Sequence, residues 1–178
     1  TELAKILPVH VIVGNHDLYR KRSNDITSLD GLKNIKNVTV HKEPIQYNWS
    51  GQKCLLMPWR RSTEHEIETL SEYIDSDYVF CHSEVRGLQL NPKVTNKEGC
   101  STTEYRGFKK VFSGHIHYSQ EKYNVKMIGN PYQMTRSDID NPKGIYLLDL
   151  EKETETFFEN TSSPKFIKLH LLNYLDKT

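Results

Sequence analysis

Six side chains able to bind a metal ion or move a proton, Asn15, His16, Asp17, His82, His115 and His117, fall at three places where an apolar run of strand character has just ended. Neutral imidazole nitrogen and amide oxygen are good donors to divalent ions of the zinc, iron and manganese kind. Together these groups point to a divalent-metal site, since strand ends can converge on one edge of a sheet. Residues two apart along a strand face one side, but in a loop they splay, so His115 and His117 can serve different ions. Taken singly each element is weak: a lone histidine is mostly structural, GNHD is a polar turn, and GHIH is a hydrogen-bonded loop. Their occurrence together, in order and at strand ends, carries the signal.

Elements must bring these groups together. The β-branched run at residues 9–13 predicts a buried strand opening into Gly14-Asn15-His16-Asp17, and residues 2–5 read as the last turn of a helix feeding it. A helix is expected over 28–35, a strand over 38–41, and a hairpin of 46–49 and 53–57 about Ser50-Gly51, stopped by Pro58. Thr63 and Glu66 have the spacing of a capping box for a helix to about residue 74. A strand at 78–81 ends in His82, and the polar stretch 83–106 predicts a loop long enough to be functional or mobile. The strand at 110–112 runs into Ser113-Gly114-His115-Ile116-His117, and further strands are expected at 125–128, 144–150, 154–159 and 165–171. This mixture predicts an α/β sandwich with partly antiparallel sheets.

Composition excludes several classes. With 36% hydrophobic and 26% charged residues in 178, the chain fits an ordinary globular segment. A mean hydropathy of −0.67 and no apolar run near the roughly 18 residues of a span exclude a transmembrane helix. The start carries no basic region leading into a long apolar core, so no secretory signal is read. It also lacks an initiator Met and begins in mid-element, which predicts a fragment. Cys54, Cys81 and Cys100 are odd in number and far apart, which suits a reducing compartment better than a disulfide framework. A net charge of +1 leaves any polyanion-binding patch local.

At Asn15-His16-Asp17, His82 and His115-x-His117 the sequence resembles the calcineurin-like metallophosphoesterase superfamily. That family's motifs run D-x-H, G-D-x-x-D, G-N-H-[DE], a lone His and G-H-x-H, and the last three are matched here. The stretch 128–150, IGNPYQMTRSDIDNPKGIYLLDL, with His82-Ser83-Glu84, Gly87 and Leu56-Met57-Pro58-Trp59, is similar to the small nuclease subunit of SbcCD-type and bacteriophage recombination complexes. The resemblance implies a calcineurin-like β-sandwich flanked by helices, with residues 1–178 forming the C-terminal part of one nuclease domain. It implies two divalent ions, manganese foremost with iron or zinc as alternatives. Asn15, His82 and His115 would be ligands of one ion and His117 of the other, with His16 as the catalytic histidine and Asp17 holding its ring.

The same resemblance implies a DNA exo- or endonuclease working in the cytoplasm with an SbcC-like ATPase subunit, and it admits a homodimer. Cys81 stands before the lone His where relatives often carry Gly, placing a thiol beside the site. Arg20, Lys21 and Arg22 follow the GNHD loop closely enough to contact a DNA phosphate, although charge runs are usually solvated surface. Trp59-Arg60-Arg61 can stack on nucleic acid or belong to the core. Asn130-Pro131-Tyr132 can line the substrate groove or form a rigid turn. Two rival readings remain: a phosphatase or small-diester phosphodiesterase on the same metal core, and a non-catalytic scaffold with an incomplete site.

Overall fold

The computed structural model describes residues 2–20 and 23–169. In chain order the elements are α1 (Glu2–Ile6), β1 (Val9–Ile12), β2 (Leu18–Arg20), β3 (Ser23–Thr27), β4 (Val38–His41), β5 (Ile45–Trp49) and β6 (Gln52–Met57). There follow α2 (Thr63–Glu72), β7 (Tyr78–Cys81), β8 (Gln89–Asn91), β9 (Val94–Thr95), β10 (Lys110–Ser113), β11 (Gln120–Lys122), β12 (Val125–Met127), β13 (Gly144–Asp149) and β14 (Thr154–Glu159). Short 3-10 turns join them at Asn15–Asp17, Ser28–Asn34, Thr102–Tyr105 and Arg136–Asp138.

The central sheet has the order β11-β12-β10-β7-β6-β5. Its inner strands β6, β7, β10 and β12 run parallel, while β5 and β11 close the edges antiparallel. All four parallel strands therefore end on one edge, where open α/β sheets carry their ligands. Side chains alternate across the sheet with period two. Leu55, Met57, Val79, Cys81 and Val111 face α2 and the 83–108 segment, completed by Leu70, Tyr105 and Phe108. Cys54, Tyr78 and Phe112 face the other way, toward Trp49, Phe80, Leu148 and Leu150. The second layer holds the β13–β14 hairpin and the parallel pair β1–β4. His10 and His41 from that pair stack with centroids 5.1 Å apart, and both meet Tyr47 of β5 edge-on.

The α/β sandwich expected from the sequence is present, with local differences. The hairpin forms about Ser50 and Gly51, both left-handed at φ 50° and 80°, as a two-residue hairpin turn requires. The helix expected over 28–35 is a 3-10 turn. The cap of α2 is Ser62, whose Oγ accepts from His65 N–H at 3.2 Å, rather than Thr63. Glu66 turns inward instead, its carboxylate accepting from the buried Tyr105 hydroxyl. The segment 83–106 is not without regular structure: it carries β8, β9 and a Val85–Cys100 bridge and buries Val85, Leu88, Cys100 and Tyr105. Residues 165–169 of the last expected strand form none, and its remaining residues lie outside the described ones.

Candidate active site and metal centre

Beyond β1 the chain passes through fully buried Val13, whose carbonyl accepts from Trp59 N–H at 2.8 Å. That bond joins the end of β1 to the end of β6. Asn15–Asp17 then make a single turn, tied by Asp17: Oδ2 accepts from Gly14 N–H at 2.8 Å and Oδ1 from Ser28 Oγ–H at 3.2 Å. The carboxylate thus braces the turn that carries His16. Gly14 lies flat against His82, since a Cβ there would stand 2.9 Å from His82 Cε1 and 3.1 Å from either ring nitrogen.

His82 leaves β7 with its backbone N–H donating to Met57 O at 3.2 Å. Its Nε2 stands 3.0 Å from Asn15 Oδ1 and 3.2 Å from His115 Nδ1. Trp59 walls the pair, with its ring centroid 5.1 Å from that of His115 and 6.2 Å from that of His82. Burial, reinforced by the neighbouring His115, pushes the His82 pKa down to about 4 despite the opposing Asp17 charge. His115 is lowered as well, first by burial and then by His16 and His117. Both rings are therefore neutral near pH 7, with lone pairs available for coordination.

Asn15 Oδ1 and His115 Nδ1 lie 3.0 and 3.2 Å from His82 Nε2, and electron-pair donors that close need a positive centre between them, a proton or a cation. Donors on one divalent ion at about 2.1 Å lie about 3 Å apart, so Asn15, His82 and His115 fit a shared ion by spacing, chemistry and protonation state. Among the described residues no group of three or more His, Cys, Asp or Glu is placed to hold an ion by itself. The convergence is of two imidazoles and one amide.

His16 and His117 are exposed at the rim of this cluster, close enough for their charge to act on the inner rings. The His117 carbonyl accepts from Lys143 Nζ at 2.6 Å. Lys143 is buried in an ion pair with Asp138 at 2.8 Å, which anchors the 115–117 loop to the 128–150 stretch. Asn130, just beyond β12, is buried with both side-chain polar atoms lacking a protein partner among the described residues. Arg20 is exposed on β2, and Arg22 lies outside the described residues. Arg60 is buried against Glu43 and His65, so it belongs to the core while Trp59 faces the site. Cys81 is buried too, its thiol pushed up to about 12 chiefly by burial, which removes the reactivity its position suggested. The place of Trp59 as the site's wall was not read from the sequence, although its position after Pro58 at a strand end was a usable signal.

Asn-His-Asp after β1, and His and His-x-His after the parallel strands β7 and β10 of the mixed sheet, are the arrangement of a metal-dependent phosphoesterase. Residues 1–119 match the calcineurin-like phosphoesterase family, and the chain belongs to it. Over 160 residues the chain is 32% identical to exonuclease subunit 1 of Enterobacteria phage T4. The alignment takes in 88% of this chain and 47% of that protein, so the chain spans about half the length of this relative. Phosphoesterase chemistry that uses divalent metal is that of the family. Among the described residues no helix is long and apolar enough to cross a membrane.

Proposed function

We propose that this chain carries the catalytic edge of a DNA phosphodiesterase, an exo- or endonuclease subunit that acts in the cytoplasm with an SbcC-like ATPase. The observation that carries this reading is the approach of Asn15 Oδ1 and His115 Nδ1, each within 3.2 Å of His82 Nε2, beside exposed His16 and His117. Asn15, His82 and His115 hold one divalent ion and His117 contributes to a second, with manganese foremost and iron or zinc alternatives. Bound there, the ions supply charge to the phosphate oxygens and make a nucleophile of water. The chain's own groups do the rest. The exposed His16 ring gives a proton to the leaving oxygen, Asp17 fixes the turn that carries it, and Trp59 keeps solvent from the inner histidines. Arg20, Arg22 and Asn130 meet the DNA backbone, Asn130 through amide atoms that no group among the described residues engages.

A second reading draws on a specific observation, that among the described residues no trio of His, Cys, Asp or Glu forms an ion site alone. On that reading the fold is a scaffold. The two are separated by Mn-dependent cleavage of linear DNA and of bis-p-nitrophenyl phosphate, with and without His16→Ala. The comparison is run on this chain and on a longer form carrying D-x-H and G-D-x-x-D motifs. Cleavage of DNA that His16→Ala abolishes supports the nuclease, and cleavage of the small diester alone makes it a small-diester phosphodiesterase. Inactivity of the longer form on both substrates establishes the scaffold.

A further inference from the structure

Ser113 is the last residue of β10, two positions before His115, and is fully buried. Its hydroxyl makes two hydrogen bonds to one residue of the neighbouring segment: Oγ accepts from Ser83 N–H at 2.9 Å and donates to Ser83 O at 2.9 Å. Ser83 directly follows His82. Both hydrogen-bonding capacities of a buried hydroxyl are thereby used, on the backbone of the residue beside one candidate ligand, from the residue two before another.

The place of this contact is informative. The parallel ladder between β7 and β10 ends in the pair Ser113–Cys81, followed by Gly114 N–H donating to Cys81 O at 3.1 Å. His82 and His115 lie past it, where strands turn into loops and ladder geometry no longer dictates spacing. The Ser83 N–H belongs to the peptide unit that starts at His82, so the hydroxyl fixes the rotation of that unit. With it the hydroxyl fixes the direction in which the His82 side chain leaves the backbone. The Ser83 carbonyl, held by the same oxygen, prevents the loop from pivoting about the first bond. On its other side Ser83 faces Glu66, a buried carboxylate from α2 that also accepts from Tyr105, so the clamped loop is backed by the core.

We propose that Ser113 is a positioning residue, a side-chain clamp that holds His82 and His115 at the spacing needed to share one divalent ion. This rests on reading those two histidines as ligands of the same ion. Groups behind metal ligands set affinity by orienting them, and their loss typically weakens binding about 10- to 100-fold. Ser113 does so through the backbone, without touching either ring.

The test uses the full chain, Ser113→Ala, and Ser113→Cys, which keeps a weaker donor and acceptor. One readout needs no metal: the imidazole ring signals in long-range proton–nitrogen spectra. The His10–His41 pair, joined at 2.9 Å between β1 and β4, reports any general loosening. The other readout is Co²⁺ affinity by visible absorption. In Ser113→Ala the His82 and His115 signals move while those of His10 and His41 stay, and Co²⁺ binding weakens about tenfold, with Ser113→Cys between. Unmoved His82 and His115 signals overturn the proposal, and so do shifts shared equally by all four rings. If the unaltered chain binds no Co²⁺ yet the selective ring shift is seen, the clamp stands and the ion-binding reading under Proposed function fails.

Discussion

Replacing Gly14 by Ala tests the site with one methyl group. The backbone at Gly14 is extended, φ −94° and ψ 171°, a conformation alanine adopts without strain, so the effect is steric alone. The new Cβ would sit 2.9 Å from His82 Cε1, whereas carbon atoms rest at about 3.5 Å or more. The ring must therefore retreat by about 0.6 Å. It is held by contacts of 3.0 Å to Asn15 and 3.2 Å to His115, and a retreat of that size carries at least one past hydrogen-bonding distance. Metal sites tolerate about 0.2 Å in ligand position. Co²⁺ affinity should fall by about tenfold or more, and urea unfolding should show a loss of ~1–3 kcal/mol from overpacking. Gly114→Ala is the control, because its Cβ would lie 3.8 Å from His82 Nδ1, an ordinary contact, and it should bind the ion as the unaltered chain does. If Gly14→Ala and Gly114→Ala proved indistinguishable from the parent in both measurements, the close approach of Gly14 to His82 and the role built on it would be refuted.

In metal-free protein, His82 is depressed from 6.5 to about 4, so its contribution to stability is full above pH 6.5 and is lost as pH falls toward 4. Between pH 7 and pH 5 the parent should lose ~2 kcal/mol more than His82→Gln in urea unfolding; equal losses would place the ring in solvent. Removing Asp138 by Asp138→Ala leaves the Lys143 ammonium buried without its carboxylate, with side-chain exposures of 4% and 3% for Lys143 and Asp138. This should cost ~3–5 kcal/mol, read as a lowered denaturant midpoint. Ser62→Ala should destabilise by ~1 kcal/mol through loss of the α2 cap, whereas Thr63→Ala changes little. The reverse order would restore Thr63 as the capping residue.

The strand ends that carry the site were legible because they combine two strong local signals, a β-branched or aromatic run and an abrupt switch to Gly, Asn or His. β1, β7 and β10 fall within a residue of their expected positions for that reason. What failed locally was decided elsewhere in the fold. Glu66 has capping-box spacing from Thr63, yet its carboxylate is drawn inward by Tyr105, far along the chain. The 83–106 stretch is polar in sequence, but spaced apolar residues, Val85, Leu88, Cys100 and Tyr105, pin it to the core. Neither the burial of Arg60 beside exposed Arg61 nor the bracing role of Asp17 had any periodic signature. Identity of the site residues came from motif order, whereas which atoms meet came only from the sheet.

The connectivity of the Asn15–His82–His115 cluster also bears on how the molecule assembles. Asn15 meets His82 across 67 residues of sequence, and His82 meets His115 across 33. No local segment can form the cluster, because loop-closure entropy must first be met by pairing distant parallel strands, the slow class of folding event. A chain caught before β7 joins β10 would hold its histidines as isolated side chains with ordinary proton affinity. If the cluster takes up an ion as proposed, uptake would serve as a clock for the pairing of β7 with β10, and added cation would raise the population of the native basin without speeding the search that leads to it.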